Sequence, residues 1–420
     1  MSFLISAPAS GSGKTTVTLG LLRALTRRGT ALRGAKSGPD YIDPRFHEAA
    51  CGQACVNLDA WAMTPDRIRA LAGGLPLIIE GAMGLFDGAP PEGKGASADL
   101  ARILKLPVVL VIDAARMAGS VAPLAKGFIA HDPGLRVAGV ILNNTGSPRH
   151  EGMLRRALGD IPVFGAIPRS AGVAQPSRHL GLVQAQERPD LEAFLDVAAD
   201  LVAAHCDLLA LAGMLSPLPP ATAQRMPPPA QSIAIARDAA FAFAYPHLLE
   251  DWRAAGAVLS FFSPLADDPA PQADLIFLPG GYPELHAGRL ARNARFLDSL
   301  RQSEALIYGE CGGYMVLGDA LTDADGVTHP MAGLLRLETS FAQRKLHLGY
   351  RDMTATQGPI SGSWKGHEFH YATTLRAKGT PLFQIKDAEG TALPPMGLIA
   401  GRVSGSFAHI IDLASGKAEA

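Results

Sequence analysis

The sequence predicts an α/β protein of two domains, and three observations carry that prediction. Short continuous apolar runs alternate with amphipathic segments through the first half of the chain, the pattern of a parallel sheet covered by helices on both faces. A proline-rich stretch holding Pro217, Pro219, Pro220 and Pro227-Pro228-Pro229 then interrupts the pattern, and a second series of strands follows. At 420 residues the chain exceeds the usual size of one domain, and each half is long enough to bury its own core. The expected division is 1–218, a linker over 219–231, and 232–420.

The first element is the strand Phe3-Leu4-Ile5. It runs into Ser10-Gly11-Ser12-Gly13-Lys14-Thr15-Thr16, after which Val17, Leu21, Leu22 and Leu25 repeat at helical spacing. A glycine-rich turn between strand and helix lets backbone N–H groups close around phosphate oxygens at the positive end of the helix. Gly11, Ser12, Gly13, Lys14, Thr15 and Thr16 are therefore the candidate nucleotide-binding residues, with Lys14 reaching the terminal phosphates and Thr15 holding Mg²⁺. The loop is a variant, because Pro8 stands where the common spacing puts its first glycine. Ala9 stands where partition-type ATPases carry a second lysine, which counts against a membrane-associated or DNA-partitioning ATPase.

Later strands are expected at Leu77-Ile78-Ile79, Val108 to Ile112, Val137 to Leu142 and Val163 to Ile167, and after the linker at Ser232 to Ala236, Leu275 to Leu278 and Ala305 to Tyr308. Ligands of open parallel sheets sit at the carboxyl ends of strands, so the residues that follow these runs are the ones to examine. Glu80 closes one run and is placed to hold Mg²⁺ directly or through water. Asp40 and Asp43 lie among turn formers in Lys36-Ser37-Gly38-Pro39-Asp40-Tyr41-Ile42-Asp43-Pro44, where acidic residues serve equally as local caps. Asp113 reads either as a ligand or as a helix cap, and Asn143 and Asn144 either as adenine contacts or as turn formers.

Cys311 in Gly309-Glu310-Cys311-Gly312-Gly313 follows the last of these runs. A strand-to-helix turn with small flanking residues is the setting of an exposed nucleophile on a strained bend, and a helix N-terminus favours the thiolate. The nucleophile needs a base, and spacing alone does not choose among 12 histidines. The glycine amides around Pro279-Gly280-Gly281 and after Cys311, those of Gly281 and Gly312 above all, are candidates for an oxyanion hole.

Net charge is -1, which gives no nucleic-acid or membrane-surface partner a handle. No apolar run approaches bilayer length and no basic leader is seen, so a cytoplasmic location is expected. Four cysteines are too few and too irregular for a disulfide framework, and reduced thiols fit that location. His47, Cys51 and Cys55 recur at four-residue steps and read as one buried helical face rather than a metal site. His367-Glu368-Phe369-His370 spaces its histidines wrongly for a helical zinc motif.

Taken together, seven blocks in one order resemble the a,c-diamide synthases of corrin biosynthesis: Ser10 to Thr16, Gly38 to Pro44, Glu80 to Gly88, Pro279 to Glu284, Gly309 to Gly313, Gly366 to Tyr371, and Gly405 to His409. The resemblance spans nearly the whole chain. It implies an N-terminal domain like dethiobiotin-synthetase-type ligases and a C-terminal domain like class I glutamine amidotransferases. It further implies ATP, Mg²⁺ and L-glutamine as reactants and a small-molecule corrinoid substrate, with hydrogenobyrinic acid favoured over cobyrinic acid; a homodimer stays open.

By the same resemblance Cys311 is the nucleophile and His409 its base, Asn143 contacts adenine, Thr15, Asp43 and Glu80 hold the metal, and Asp40 and Asp87 belong to the ATP and substrate site. Tyr41, Ile42, Leu85 and Phe86 lie beside these acids and would offer apolar substrate surface, or else core. Most class I glutaminases place a glutamate two positions after the histidine; here that position is Ile411, which leaves open what orients the imidazole. A dethiobiotin-like carboxylase would leave Cys311 and His409 idle, and a P-loop switch would use the loop alone; glutaminase activity and coupled amidation respectively separate these rivals.

Overall fold

The computed structural model describes residues 2–173 and 184–414. The chain divides into two compact units, Met1–Gln224 and Arg225–Ala420, so the division falls within the proline-rich stretch. Among the described residues no helix is long and apolar enough to cross a membrane.

In the first unit seven strands form one sheet: β1 (Phe3–Ser6), β2 (Arg33–Ser37), β3 (Val56–Leu58), β4 (Leu77–Glu80), β5 (Val108–Asp113), β6 (Val137–Thr145) and β7 (Val163–Pro168). Their order is β3-β2-β4-β1-β5-β6-β7, and every pairing is parallel. Val108 to Ile112 are at most 1% exposed. Each such side chain contributes about 1.5–3 kcal/mol, which is why these runs declare themselves in the sequence.

Two strands do not. In β2, Arg-Gly-Ala-Lys-Ser, four of five residues are buried, Lys36 among them. Small residues let a helix approach there: a Cβ on Gly34 would lie 2.7 Å from the Cβ of His47 on α2 (Asp43–Cys51). The helix α1 (Lys14–Arg27) follows β1 and buries Val17, Leu21, Leu22 and Leu25, as its spacing requires.

The second unit is built on a six-stranded sheet from β8 (Ser232–Ala236), β9 (Val258–Phe262), β10 (Leu275–Leu278), β11 (Leu306–Glu310) and the strands Val403–Ser406 and Leu398–Ala400. Reading from the edge strand Leu398–Ala400, the order continues through Val403–Ser406, β11, β10 and β8 to β9. Only the edge pairing of Leu398–Ala400 is antiparallel. A five-stranded antiparallel sheet and a four-stranded one complete the unit. The apolar runs did not announce these added sheets. Their strands are covered on one face only, as the alternating burial along Gly362–His370 shows.

The chain leaves the parallel sheet after Ser406, and Ala408–Leu413 pairs instead with Gly362–His370. That switch sets His409 just beyond the carboxyl ends of the parallel strands.

Candidate functional site

In the first unit the turn after β1 holds Gly11 at φ 80 and Gly13 at φ 88, the left-handed region that a side chain strains to reach. Gly13 is also sterically required, since a Cβ there would sit 2.1 Å from Asn143 Nδ2. Asn143, from the end of β6, donates to the Ser12 carbonyl at 3.0 Å, and the Ser12 hydroxyl donates to the Ala9 carbonyl at 2.9 Å. Lys14 Nζ donates to the Met83 carbonyl at 2.6 Å. Burial holds its ammonium below the ordinary value, with Glu80 opposing. A cavity of about 260 Å³ beside the loop is lined by Gly13, Thr16, Asn143, Asn144, Ile167 and Ser170.

Thr15 Oγ1 donates to Glu80 Oε1 at 2.6 Å, which joins two of the residues expected to hold a cation. Burying a lone carboxylate costs several kcal/mol, and Glu80 is 1% exposed. The surroundings offset that cost: Lys36 Nζ stands 3.7 Å from Oε1, and His47 Nε2 lies 2.7 Å from Oε2. Burial alone would raise the Glu80 pKa, but Lys36, His47 and Thr15 together hold it well below the usual carboxylate range.

Asp43 meets the same cluster through Lys36, whose Nζ is 3.2 Å from its Oδ2. Asp40 lies 4.0 Å from that ammonium and accepts from the Ile42 and Asp43 amides, so it caps the local turn and borders the lysine at once. Desolvation and the Asp43 charge push Asp40 up to about 6. Three carboxylate groups around one buried lysine leave an excess of hard oxygen donors, the set that suits Mg²⁺.

Lys36 and His47 were not singled out from the sequence for this role. Lys36 lies next to last in a strand without an apolar run, and His47 lies one helical turn after Asp43 and so faces the same way. The expected helical face of His47, Cys51 and Cys55 is also corrected: α2 ends at Cys51, and Cys55 reaches back from the loop beyond, with Sγ 3.5 Å from His47 Nδ1. Burial raises the Cys55 thiol well above its ordinary value.

The expected apolar substrate surface changes as well. Leu85 is fully buried and Ile42 is 8% exposed, so these side chains are core, held there by the turns on either side of them. Tyr41 and Phe86 keep partial exposure, and Met83 is open to solvent at 58%. Asp87 is exposed and accepts from the Gly84 amide at 2.8 Å, shaping the turn after β4.

In the second unit Cys311 has φ 46, a strained value for a residue with a side chain and the geometry of a nucleophile turn. Glu310, beside it, is in register with Ser406 on the neighbouring strand, and the Cys311 amide donates to the Ser406 carbonyl at 2.8 Å. His409 arrives from beyond that strand. Gly280, after β10, fits between them: a Cβ there would lie 2.2 Å from His409 Cε1 and 3.3 Å from the Cβ of Cys311. Sulfur and imidazole thus share one glycine-lined corner.

Gly281 and Gly312 adjoin the same corner, since a Cβ on Gly312 would stand 3.1 Å from the Gly281 nitrogen. Burial first, then the carboxylates of Glu284, Glu368 and Glu310, hold the thiol well above its ordinary value, while the Gly312 amide pulls the other way. The thiol therefore needs a base at hand to lose its proton.

Ile411 is fully buried and presents no carboxylate. Glu310 stands on the far side of the imidazole, with Oε2 at 3.5 Å from His409 Nδ1. His367 is in register with His409; burial and the neighbouring His409 hold it down to about 3. On the other face of the same strand are Glu368 and His370, whose donor atoms lie within 4.8 Å of each other and of His347 on the paired strand. Two features oppose a shared ion there. The imidazoles of His347 and His370 stack nearly parallel, at 7°, so their in-plane lone pairs run side by side rather than converge, and Arg351 donates twice to Glu368.

Residues 3–183 match the model of the CobQ/CobB/MinD/ParA nucleotide binding domain, and residues 232–416 that of the CobB/CobQ-like glutamine amidotransferase domain. A protein of Brucella anthropi named hydrogenobyrinate a,c-diamide synthase is 56% identical over 99% of each chain. Proteins of the same name from Rhizobium meliloti and Rhodobacter capsulatus are each 53% identical, over 97% of this chain and 98% of theirs. With nucleotide loop and thiol corner each inside its matched domain, the chain belongs to the hydrogenobyrinate a,c-diamide synthase family.

Proposed function

We propose that the chain amidates the a and c acetate carboxylates of hydrogenobyrinic acid, using ATP and glutamine, through acyl phosphates. The observation that carries this reading is the full-length likeness to synthases of that name, in a chain where both halves of the chemistry find their residues. Oxide is a poor leaving group, so a carboxylate must first be activated. Its oxygen attacks the terminal phosphorus of ATP, ADP departs, and an acyl phosphate is left. Lys14 exchanges its carbonyl partner for phosphate oxygens, and the amides of the Gly11–Gly13 turn line the remaining charge. Thr15, Glu80 and Asp43 would hold Mg²⁺, which supplies positive charge where it develops between the phosphates. Asn143 contacts the adenine, and Asp40, Asp87, Tyr41 and Phe86 border the corrinoid substrate.

Cys311 attacks the side-chain amide of glutamine while His409 takes the thiol proton and passes it to the departing ammonia. The Gly281 and Gly312 amides stabilise the oxyanion. Water hydrolyses the thioester to glutamate, and ammonia displaces phosphate from the activated substrate. Two rounds give the diamide. Reactants and residues of this kind fit a cytoplasmic enzyme.

The test is incubation of the protein with hydrogenobyrinic acid, ATP, Mg²⁺ and glutamine, followed by mass analysis. Two successive conversions of carboxylate to amide are expected. Turnover of cobyrinic acid alone would move the substrate assignment, and no amidation of either acid would overturn the reading.

A further inference from the structure

We propose that Glu310, the residue immediately before the nucleophile, orients His409 in place of the glutamate that Ile411 displaces. The inference rests on the reading of Cys311 and His409 as the glutaminase pair. The two oxygens of the Glu310 carboxylate are used differently. Oε1 accepts from the Ile410 amide at 3.1 Å and from the Tyr308 hydroxyl at 3.3 Å, which fixes the group against the strand that carries His409. Oε2 is left toward His409 Nδ1 at 3.5 Å.

A carboxylate on Nδ1 leaves Nε2 as the proton acceptor and stabilises the imidazolium that forms when Cys311 ionises. The distance exceeds a formed hydrogen bond, as catalytic contacts do before substrate tightens them. Glu310 is 3% exposed, so the interaction is little screened. Tyr308 supports the same view, because burial and the Glu310 charge raise its phenol well above the ordinary value and keep it a donor to Oε1.

The position also explains why a third residue two places after His409 is dispensable. Glu310 and Ser406 are cross-strand neighbours, and His409 lies three residues past Ser406, so β11 supplies nucleophile and orienting carboxylate from adjacent positions. Glu310 is a positioning residue, since its carboxylate acts on substrate only through the imidazole.

Glu310→Gln keeps an acceptor for the Ile410 amide and removes the charge, so it separates orientation from packing. Other titratable groups face this corner: Glu284 after β10, His367 and Glu368 on the strand Gly362–His370, and Arg351 behind Glu368. None of them changes in the variant. Glutamine-dependent kcat should fall roughly 10²-fold, with KM for glutamine little altered. Synthesis from ammonium salts should stay within about twofold of the parent. Repulsion from Glu310 is among the charges that raise the thiol, so its loss alone would lower the pH at which iodoacetamide alkylates Cys311; support of the imidazolium predicts the reverse, a midpoint rising by about one unit, and Glu310→Asp should recover part of the loss.

A parental glutamine rate with an unmoved alkylation profile overturns the inference, as does equal loss of both nitrogen donors, which would mark a packing role. Cys311→Ser, run alongside, tells the two failures apart. If it leaves glutamine use intact, the nucleophile assignment falls and takes Glu310 with it; if it abolishes glutamine use while Glu310→Gln is normal, the Glu310 role alone falls.

Discussion

Each unit sets a buried glutamate beside a histidine, and the two pairs are built to opposite ends. Glu80 and His47 meet at 2.7 Å, with Thr15 and Lys36 closing on the same carboxylate. Glu310 and His409 stand 3.5 Å apart, beside a thiol that burial and then neighbouring carboxylates hold well above its ordinary value. The first pair holds a charge in place, and every neighbour tightens it. On the proposed function the second pair serves a proton in transit, and a separation of 3.5 Å leaves the imidazole room to exchange partners. If both assignments hold, tight and loose pairings of identical residue types distinguish a site that stores charge from one that moves it.

Removing the stored charge should give the largest effect. Glu80→Ala should lower ATP-dependent amidation by roughly 10²- to 10³-fold, whether nitrogen comes from glutamine or from ammonium. Asp43→Ala should fall at the lower end of that range. Steady-state rates with both nitrogen donors check this, and a defect confined to glutamine would break the assignment of either residue. His47→Gln touches the reaction only through Glu80. It should raise the Mg²⁺ concentration needed for half-maximal rate by about 10- to 100-fold, and a Mg²⁺ titration identical to the parent would reduce His47 to a packing residue.

Asp40 gives the smallest effect. Its folded value of about 6 lies above the unfolded one, so the folded chain binds more protons between the two, and stability falls as pH rises through about 6. Asp40→Asn should therefore gain in melting temperature over the parent on going from about pH 4.5 to about pH 7.5, by on the order of 2 °C, the side chain being partly solvated. A melting difference that ignores pH would remove Asp40 from the acidic cluster's charge balance.

What could be read from the sequence follows from how each element is covered. β1, β4 to β7, β8, β10 and β11 are buried on both faces and so appear as apolar runs, and the residues at their ends, Glu80 and Cys311 among them, could be picked out in advance. β2 could not, because its burial depends on small residues and on a lysine made tolerable by Asp40, Asp43 and Glu80, which close on it only in the fold. The antiparallel strands of the second unit were hidden by one-sided burial. His47 and Glu310 share a further reason: each acts on a partner that only tertiary structure supplies. Leu85 shows the converse, since proximity in sequence to the acidic residues suggested a surface role for a side chain that the fold encloses completely.

The central claim is that ammonia made at a thiol in one unit is consumed at an acyl phosphate formed in the other. It is tested most directly by Cys311→Ser supplied with glutamine labelled with ¹⁵N at the side-chain amide, or with labelled ammonium, and read by the isotope content of the corrinoid product. The account predicts labelled diamide from ammonium and none from glutamine. Label arriving from glutamine, or failure with both donors in a folded protein, would contradict it.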